Sequence, residues 1–130
     1  VRGMHAEGWN KLVTVINGLV FSALADVRPD SLTFGHVEAF ELGPDNGGLK
    51  GSLFISQGIA NSVCVLKAPA DYLYCVDKLY QDRDQAGDQA ISLFDPDLNI
   101  NWPIDKAKMI ISERDKNAVY LRQKFPQKYV

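Results

Sequence analysis

Side chains able to do chemistry are sparse in this chain, and its two histidines come first. His5 sits in Arg2-Gly3-Met4-His5, a short way before Lys11. An imidazole titrates near neutrality, so a residue of this type can take and return a proton. In a loop beside glycine, an ordinary surface histidine fits as well. His36 lies in a strand-like run with Glu38, where alternation turns it outward. A bound metal needs three or four converging ligands. Two distant histidines with no His-x-His do not supply them, so no metal is expected. There is no Gly-x-Gly-x-x-Gly, no phosphate loop and no local Ser-His-Asp set. Cys64 and Cys75 make neither a disulfide framework nor a metal spacing. Both lie in apolar runs and are expected as buried free thiols of a reducing cytosol.

Whatever these residues do, one domain must position them. The chain has 130 residues and a mass of 14.4 kDa, too little for two cores of ordinary size. Hydrophobic residues are 46% and charged residues 23%, the balance of a globular protein. The formal net charge is −2 and the pI about 5.6. That leaves no overall basic footprint, so nucleic acid is not an expected partner. No apolar run approaches the ~20 residues of a membrane helix. Leu19–Ala25 is interrupted at Ser22 and stops at Asp26. No membrane partner is expected, and a cytoplasmic location is. The opening Val1-Arg2-Gly3-Met4-His5 has no initiator Met and no leader, which suggests a piece of a longer protein.

The main periodic signal is period two. Lys11–Ile16 and Leu19–Asp26 flank Asn17-Gly18, the strongest short hairpin signal, because both turn residues must accept positive φ. Further strand-like runs cover His36–Leu42, Leu53–Ile55, Val63–Leu66 and Tyr72–Val76, with an evident turn over Gly43–Gly48. Short strands separated by turn chemistry predict an antiparallel sandwich or barrel. Val13, Val15, Val20, Leu24 and Leu73 are expected to face inward. Residues 80–95 read as loop. Ser112 can cap a helix, and a last helical turn is expected between Ala118 and Phe125. The expectation is one all-β domain over residues 1–130, of jelly-roll type, with a short irregular or helical C-terminus.

A longer set of residues carries a resemblance. Arg2-Gly3-Met4-His5, Lys11-Leu12-Val13 and Gly18-Leu19-Val20-Phe21 resemble the "RGLH…GKLV…GEVFDVAVDIR" core of dTDP-4-dehydrorhamnose 3,5-epimerases. The similarity continues through Asp26-Val27-Arg28, Ser31–Gly35, Leu53-Phe54-Ile55 with Gly58, Asp71–Tyr74 and Asp95–Pro103. It ends at Ile111–Asp115, similar to "LSxKD". The resemblance implies a cupin-type jelly roll, a homodimer, and an N-terminal family segment that is absent from this chain. It also implies inversion at C3 and C5 of a nucleotide-linked 4-keto-6-deoxy sugar, with no cofactor and no metal. On that resemblance His5 is the base, Asp115 its orienting carboxylate, Tyr74 the acid and Lys11 the cation at the enolate oxygen. Arg2 falls on a diphosphate contact and Tyr80 on an aromatic that packs on the nucleotide base.

The chain departs from the family pattern at the sugar pocket. Where the family has His in "GFAHGF", this chain has Asn61; where it has Asp in "EVFDVAVD", this chain has Ser22. The two are expected to be partners and to line the substrate pocket as neutral hydrogen-bonding groups. The Gln after the first His motif is Glu7. These changes leave open which nucleotide and sugar bind and whether one or two carbons invert. Two other readings stand beside the epimerase: a sugar keto-isomerase of the same fold, and a non-catalytic nucleotide-sugar-binding relative.

Overall fold

The computed structural model describes all 130 residues. Six strands follow in order: β1 (Arg2–Ala6), β2 (Lys11–Asp26), β3 (Val37–Leu42), β4 (Ser52–Ile55), β5 (Ile59–Val76) and β6 (Gln89–Ala90). All pair antiparallel, in the order β3-β2-β5-β1-β6, with β4 also on β2. Two short helices, α1 (Glu113–Lys116) and α2 (Leu121–Lys124), lie in the irregular C-terminal part. Ser112 caps α1, its Oγ accepting from the Asp115 amide at 3.2 Å.

The expected hairpin at Asn17-Gly18 is not there. β2 runs straight through both residues, and its register against β5 slips between Val15 and Val20. Gly18 takes φ +80°, and a Cβ on it would lie 2.4 Å from the Pro69 carbonyl oxygen. The turn chemistry is used for a bulge instead of a reversal. The runs at Val63 and Tyr72 likewise join into the single strand β5, with Ala68–Ala70 opposite the β2 irregularity. Pro69 has no N–H to give to a ladder, which is tolerated at such an interruption.

These bulges switch which residues face inward. Before the bulge Val13 and Val15 are buried; after it Val20 and Ser22 are. A single inserted residue changes the parity of everything beyond it. Val13, Val15, Val20, Leu42 and Ile55 form one core cluster, against which Leu24 packs. Leu73 does not join it. It stands between Tyr72 and Tyr74, both turned to the interior side, and so points outward, 51% exposed. Cys75 shares that outer face and is exposed, contrary to expectation, whereas Cys64 is buried.

A second core cluster joins β1 and the ends of β2 and β5 to the C-terminal part, through Met4, Ala25, Ile91, Leu93, Leu121 and Phe125. Buried Asp95 accepts from the amides of Asp97, Leu98 and Leu121 at 2.6–3.1 Å, fastening this irregular chain to α2. At the end of β2, Asp26 accepts from Arg28 Nε and Nη2, Ser31 Oγ and Thr33 Oγ1. The Arg28 guanidinium, then Ser31 and Thr33, outweigh burial and hold this carboxyl well below the usual range.

Ionised Asp26 therefore stabilises the fold fully above ~pH 4, its unfolded value, and that share is lost as pH falls toward its lower folded value. Asp26→Asn should flatten the acid limb of the stability curve, measured by urea unfolding at a series of pH values. An unchanged acid limb would assign acid lability to other carboxylates.

Candidate active site

The ends of the chain meet at Asp115. It is 4% exposed, with one oxygen 2.6 Å from His5 Nε2 and the other accepting the Gly3 amide at 3.0 Å. Gly3 has φ +121°, and a Cβ there would lie 2.7 Å from the Asn61 carbonyl oxygen. Only glycine lets β1 come this close to β5 while turning its N–H to the carboxylate. Burial pushes the Asp115 carboxyl up, but the Gly3 amide, the His5 bond and charge, and Ser112 together bring it below its ordinary value. Ionised Asp115 accepts from Nε2–H, so Nδ1 of His5 carries the free lone pair.

His5 opens onto a cleft on the inner side of the sheet, with about 440 Å³ of empty space including its open mouth. Arg2, Glu7 and Lys11 line it from the β1–β2 side. Asn61, Val63, Tyr72 and Tyr74 line it from β5. His5 and Asn61 are cross-strand partners. Lys11 is only 8% exposed and ion-pairs with the Glu7 carboxylate, which also accepts from Trp9 Nε1 at 3.0 Å. Tyr74 reaches the cleft with its hydroxyl in no hydrogen bond to the protein.

Most of the expected residues therefore converge: His5, Asp115, Tyr74, Lys11, Arg2 and Asn61. Asp115 reaches the cleft only through His5, and two further residues, Ser22 and Tyr80, do not line it. Ser22 is fully buried beneath it and donates to Asn61 Oδ1 at 2.8 Å. The two departures from the family pattern are indeed partners, but only Asn61 is at the surface of the cleft. Tyr80 stands in a 3-10 turn (Tyr80–Asp82) outside the cleft, with the Arg83 guanidinium 3.9 Å from its ring centroid and Trp9 beside it. Arg83 is in turn held by Asp88. That cation–π stack restrains the exposed ring. Tyr72 is the cleft residue that motif reading passed over. Its spacing of two from Tyr74 on one strand was the available signal. Burial raises the Tyr72 phenol above its ordinary value, against the lowering effect of the Asn61 bond.

A proton carrier oriented by a buried carboxylate, facing phenols and a cation, has the parts for abstraction of a proton next to a carbonyl. The comparisons with known proteins agree. A family model described as dTDP-4-dehydrorhamnose 3,5-epimerase matches residues 1–123. The chain is 32% identical to a dTDP-4-dehydrorhamnose 3,5-epimerase of Shigella flexneri over 122 residues, 91% of this chain and 63% of that protein. The crystal structure of the epimerase of that name from Elizabethkingia anophelis superposes with TM-score 0.82 at 32% identity, over 95% of this chain and 66% of the other. A Legionella pneumophila dTDP-6-deoxy-D-glucose-3,5-epimerase, solved with dTDP-4-keto-L-rhamnose, gives TM-score 0.79 at 32% identity, over 93% and 62%. The fold is thus the cupin-type jelly roll. The chain spans somewhat under two thirds of these relatives' length.

Asp115→Ala should cost about 1–3 kcal/mol, because it leaves the buried Gly3 amide without an acceptor. Asp115→Asn, which keeps an acceptor, should cost less. Urea unfolding of both variants near neutral pH gives the comparison, and equal losses would contradict this account of the Gly3 bond.

Proposed function

The chain belongs to the dTDP-4-dehydrorhamnose 3,5-epimerase family, and we propose that it is an isomerase that inverts C3, C5 or both in a nucleotide-linked 4-keto-6-deoxy sugar. The observation that carries this reading is the His5–Asp115 pair, 2.6 Å apart, at the edge of a cleft that also holds Tyr74 and Lys11.

Nδ1 of His5 takes the proton from the carbon next to the ketone. The C–H electrons form a C=C bond and the ketone oxygen becomes an enolate. Asp115 stabilises the imidazolium that results and holds the ring so that Nδ1 stays turned to the substrate. Tyr74 gives its phenolic proton to the opposite face of the same carbon, which inverts it. Solvent then restores the proton to Tyr74 and removes the one on His5. Lys11 lies within the cleft as a cation for the enolate oxygen. Its pairing with Glu7 restrains its position and offsets part of its charge. Arg2, exposed at the mouth, suits a diphosphate, whose oxygens a planar guanidinium can bridge. The bound species expected is a dTDP-sugar. The solved relative that carries dTDP-4-keto-L-rhamnose supports that choice.

We take the functional form to be a cytoplasmic homodimer. Leu12, Phe54 and Leu73 sit exposed on neighbouring strands and form an apolar face for a second copy. Light scattering should then give twice the 14.4 kDa chain mass. A monomer throughout the micromolar range would remove the dimer from this reading.

Chemistry is tested by deuterium wash-in from solvent into a panel of 4-keto nucleotide sugars. His5→Ala should abolish exchange at C3 and C5. Tyr74→Phe should keep exchange on the base's face while net inversion falls ~10²–10⁴-fold. Binding without any exchange in the wild-type protein would leave a non-catalytic nucleotide-sugar binder and exclude the epimerase.

A further inference from the structure

One wall of the cleft carries a polar chain that the reaction above leaves unused. Ser22 Oγ donates to Asn61 Oδ1 at 2.8 Å, and Asn61 Nδ2 donates to the Tyr72 hydroxyl oxygen at 2.9 Å. Its direction follows from burial. Ser22 is 0% exposed, and Asn61 is the one hydrogen-bond partner its hydroxyl has. Turning the amide around would bring N–H groups against Ser22 and leave the buried serine proton without its acceptor. Oδ1 therefore faces Ser22 and Nδ2 faces Tyr72.

A phenol whose oxygen already receives an N–H must spend its own proton elsewhere. No protein group accepts it, and Tyr72 lines the cleft. Asn61, which donates to the Tyr72 oxygen, is the cross-strand partner of His5, and all three residues line the same cleft. Every proton the base can remove is next to the ketone, so the ketone oxygen lies one bond beyond the carbon that His5 attacks. Lys11, the other group for that oxygen, is shared with Glu7.

We propose that Tyr72 touches the substrate: its hydroxyl, kept as a donor by Ser22 and Asn61, hydrogen-bonds the sugar's ketone oxygen and its developing enolate. The assignment rests on the epimerase reading and adds a residue to it. Three neutral donors aligned in one direction strengthen one another, and they meet an oxygen that gains charge without themselves changing charge. Asn61 and Ser22 are then positioning residues.

Three proteins are compared: wild type, Tyr72→Phe and Asn61→Asp. Each is assayed for turnover and deuterium wash-in with dTDP-4-keto-6-deoxyglucose, for affinity toward dTDP alone, and for thermal unfolding. Tyr72→Phe should lower kcat and kcat/KM together, by ~10²-fold, with wash-in falling in parallel, unlike Tyr74→Phe. Affinity for dTDP should not change. Asn61→Asp puts an acceptor opposite Tyr72, draws its proton away from the cleft, and should lose wash-in to a similar extent although Tyr72 is intact. If Tyr72→Phe does not fold, Asn61→Asp decides. Wash-in and turnover within about twofold of wild type in a folded Tyr72→Phe or Asn61→Asp protein would overturn the assignment while leaving the epimerase standing. A wild-type protein that exchanges no 4-keto sugar would instead bring down the epimerase, and the ketone contact with it.

Discussion

The Asp115 carboxylate has its two oxygens divided between the Gly3 amide and His5, on the far side of the sequence. Ser112 caps the short helix that delivers it. The contact joins the C-terminal irregular chain to the first strand, orients the ring nitrogen that can do chemistry, and requires a glycine at the approach. Burying a carboxylate is costly unless its lone pairs are met. Here they are met by an amide, an imidazole and a capped helix turn, so the charge is retained where the imidazole can use it. Fold and chemistry depend on the same group, and neither can change without the other.

The rest of the site depends on two irregular strands. β2 and β5 are long enough to pass from one half of the fold to the other, and their facing bulges at Asn17-Gly18 and Ala68–Ala70 shift the inward set by one residue. Asn61 and Val63 on one side of the β5 interruption, and Tyr72 and Tyr74 on the other, then face a common cleft. Without the shift Leu73, not the tyrosines, would point inward. A turn signal put to use as a bulge is thus what allows Asn61 to reach Tyr72 at all.

Two pairs stand at the inner part of the cleft, His5 with Asp115 and Lys11 with Glu7, while Arg2 at its mouth is in no ion pair. The neutral chain Ser22–Asn61–Tyr72 occupies the wall between them. An acid and a histidine in the family pattern are here a serine and an asparagine, so this wall supplies hydrogen-bond direction without titratable charge. In the proposed reaction Lys11 and the oriented donors meet the forming anion, two contributions that differ in range and in response to salt.

Much of the machinery was legible in the chain by itself. Alternation and turn spacing identified an all-β domain, because side-chain parity is a local property of a strand. The capping Ser112 was visible for the same local reason. The ordered motif blocks pointed to His5, Lys11, Tyr74 and Asp115, all of which reach one site. What only the tertiary structure decided was non-local. Asn17-Gly18 suits a tight turn or a bulge equally, and the choice fell to β5, which pairs along both halves of β2 and packs its Lys67 and Pro69 carbonyls against Gly18. The outward face of Leu73 and the exposure of Cys75 followed from that bulge, since parity beyond an inserted residue cannot be counted from either end. Tyr80 stands outside the cleft, stacked on Arg83 beside Trp9, contacts that no local spacing announces. Tyr72 faces it because the interruption of β5 shifted parity, which also brings Asn61 of the same strand within hydrogen-bond reach of its hydroxyl. Sequence spacing carries local parity and residue type; which polar groups meet, and in which direction their protons point, is decided only when distant strands close on one another.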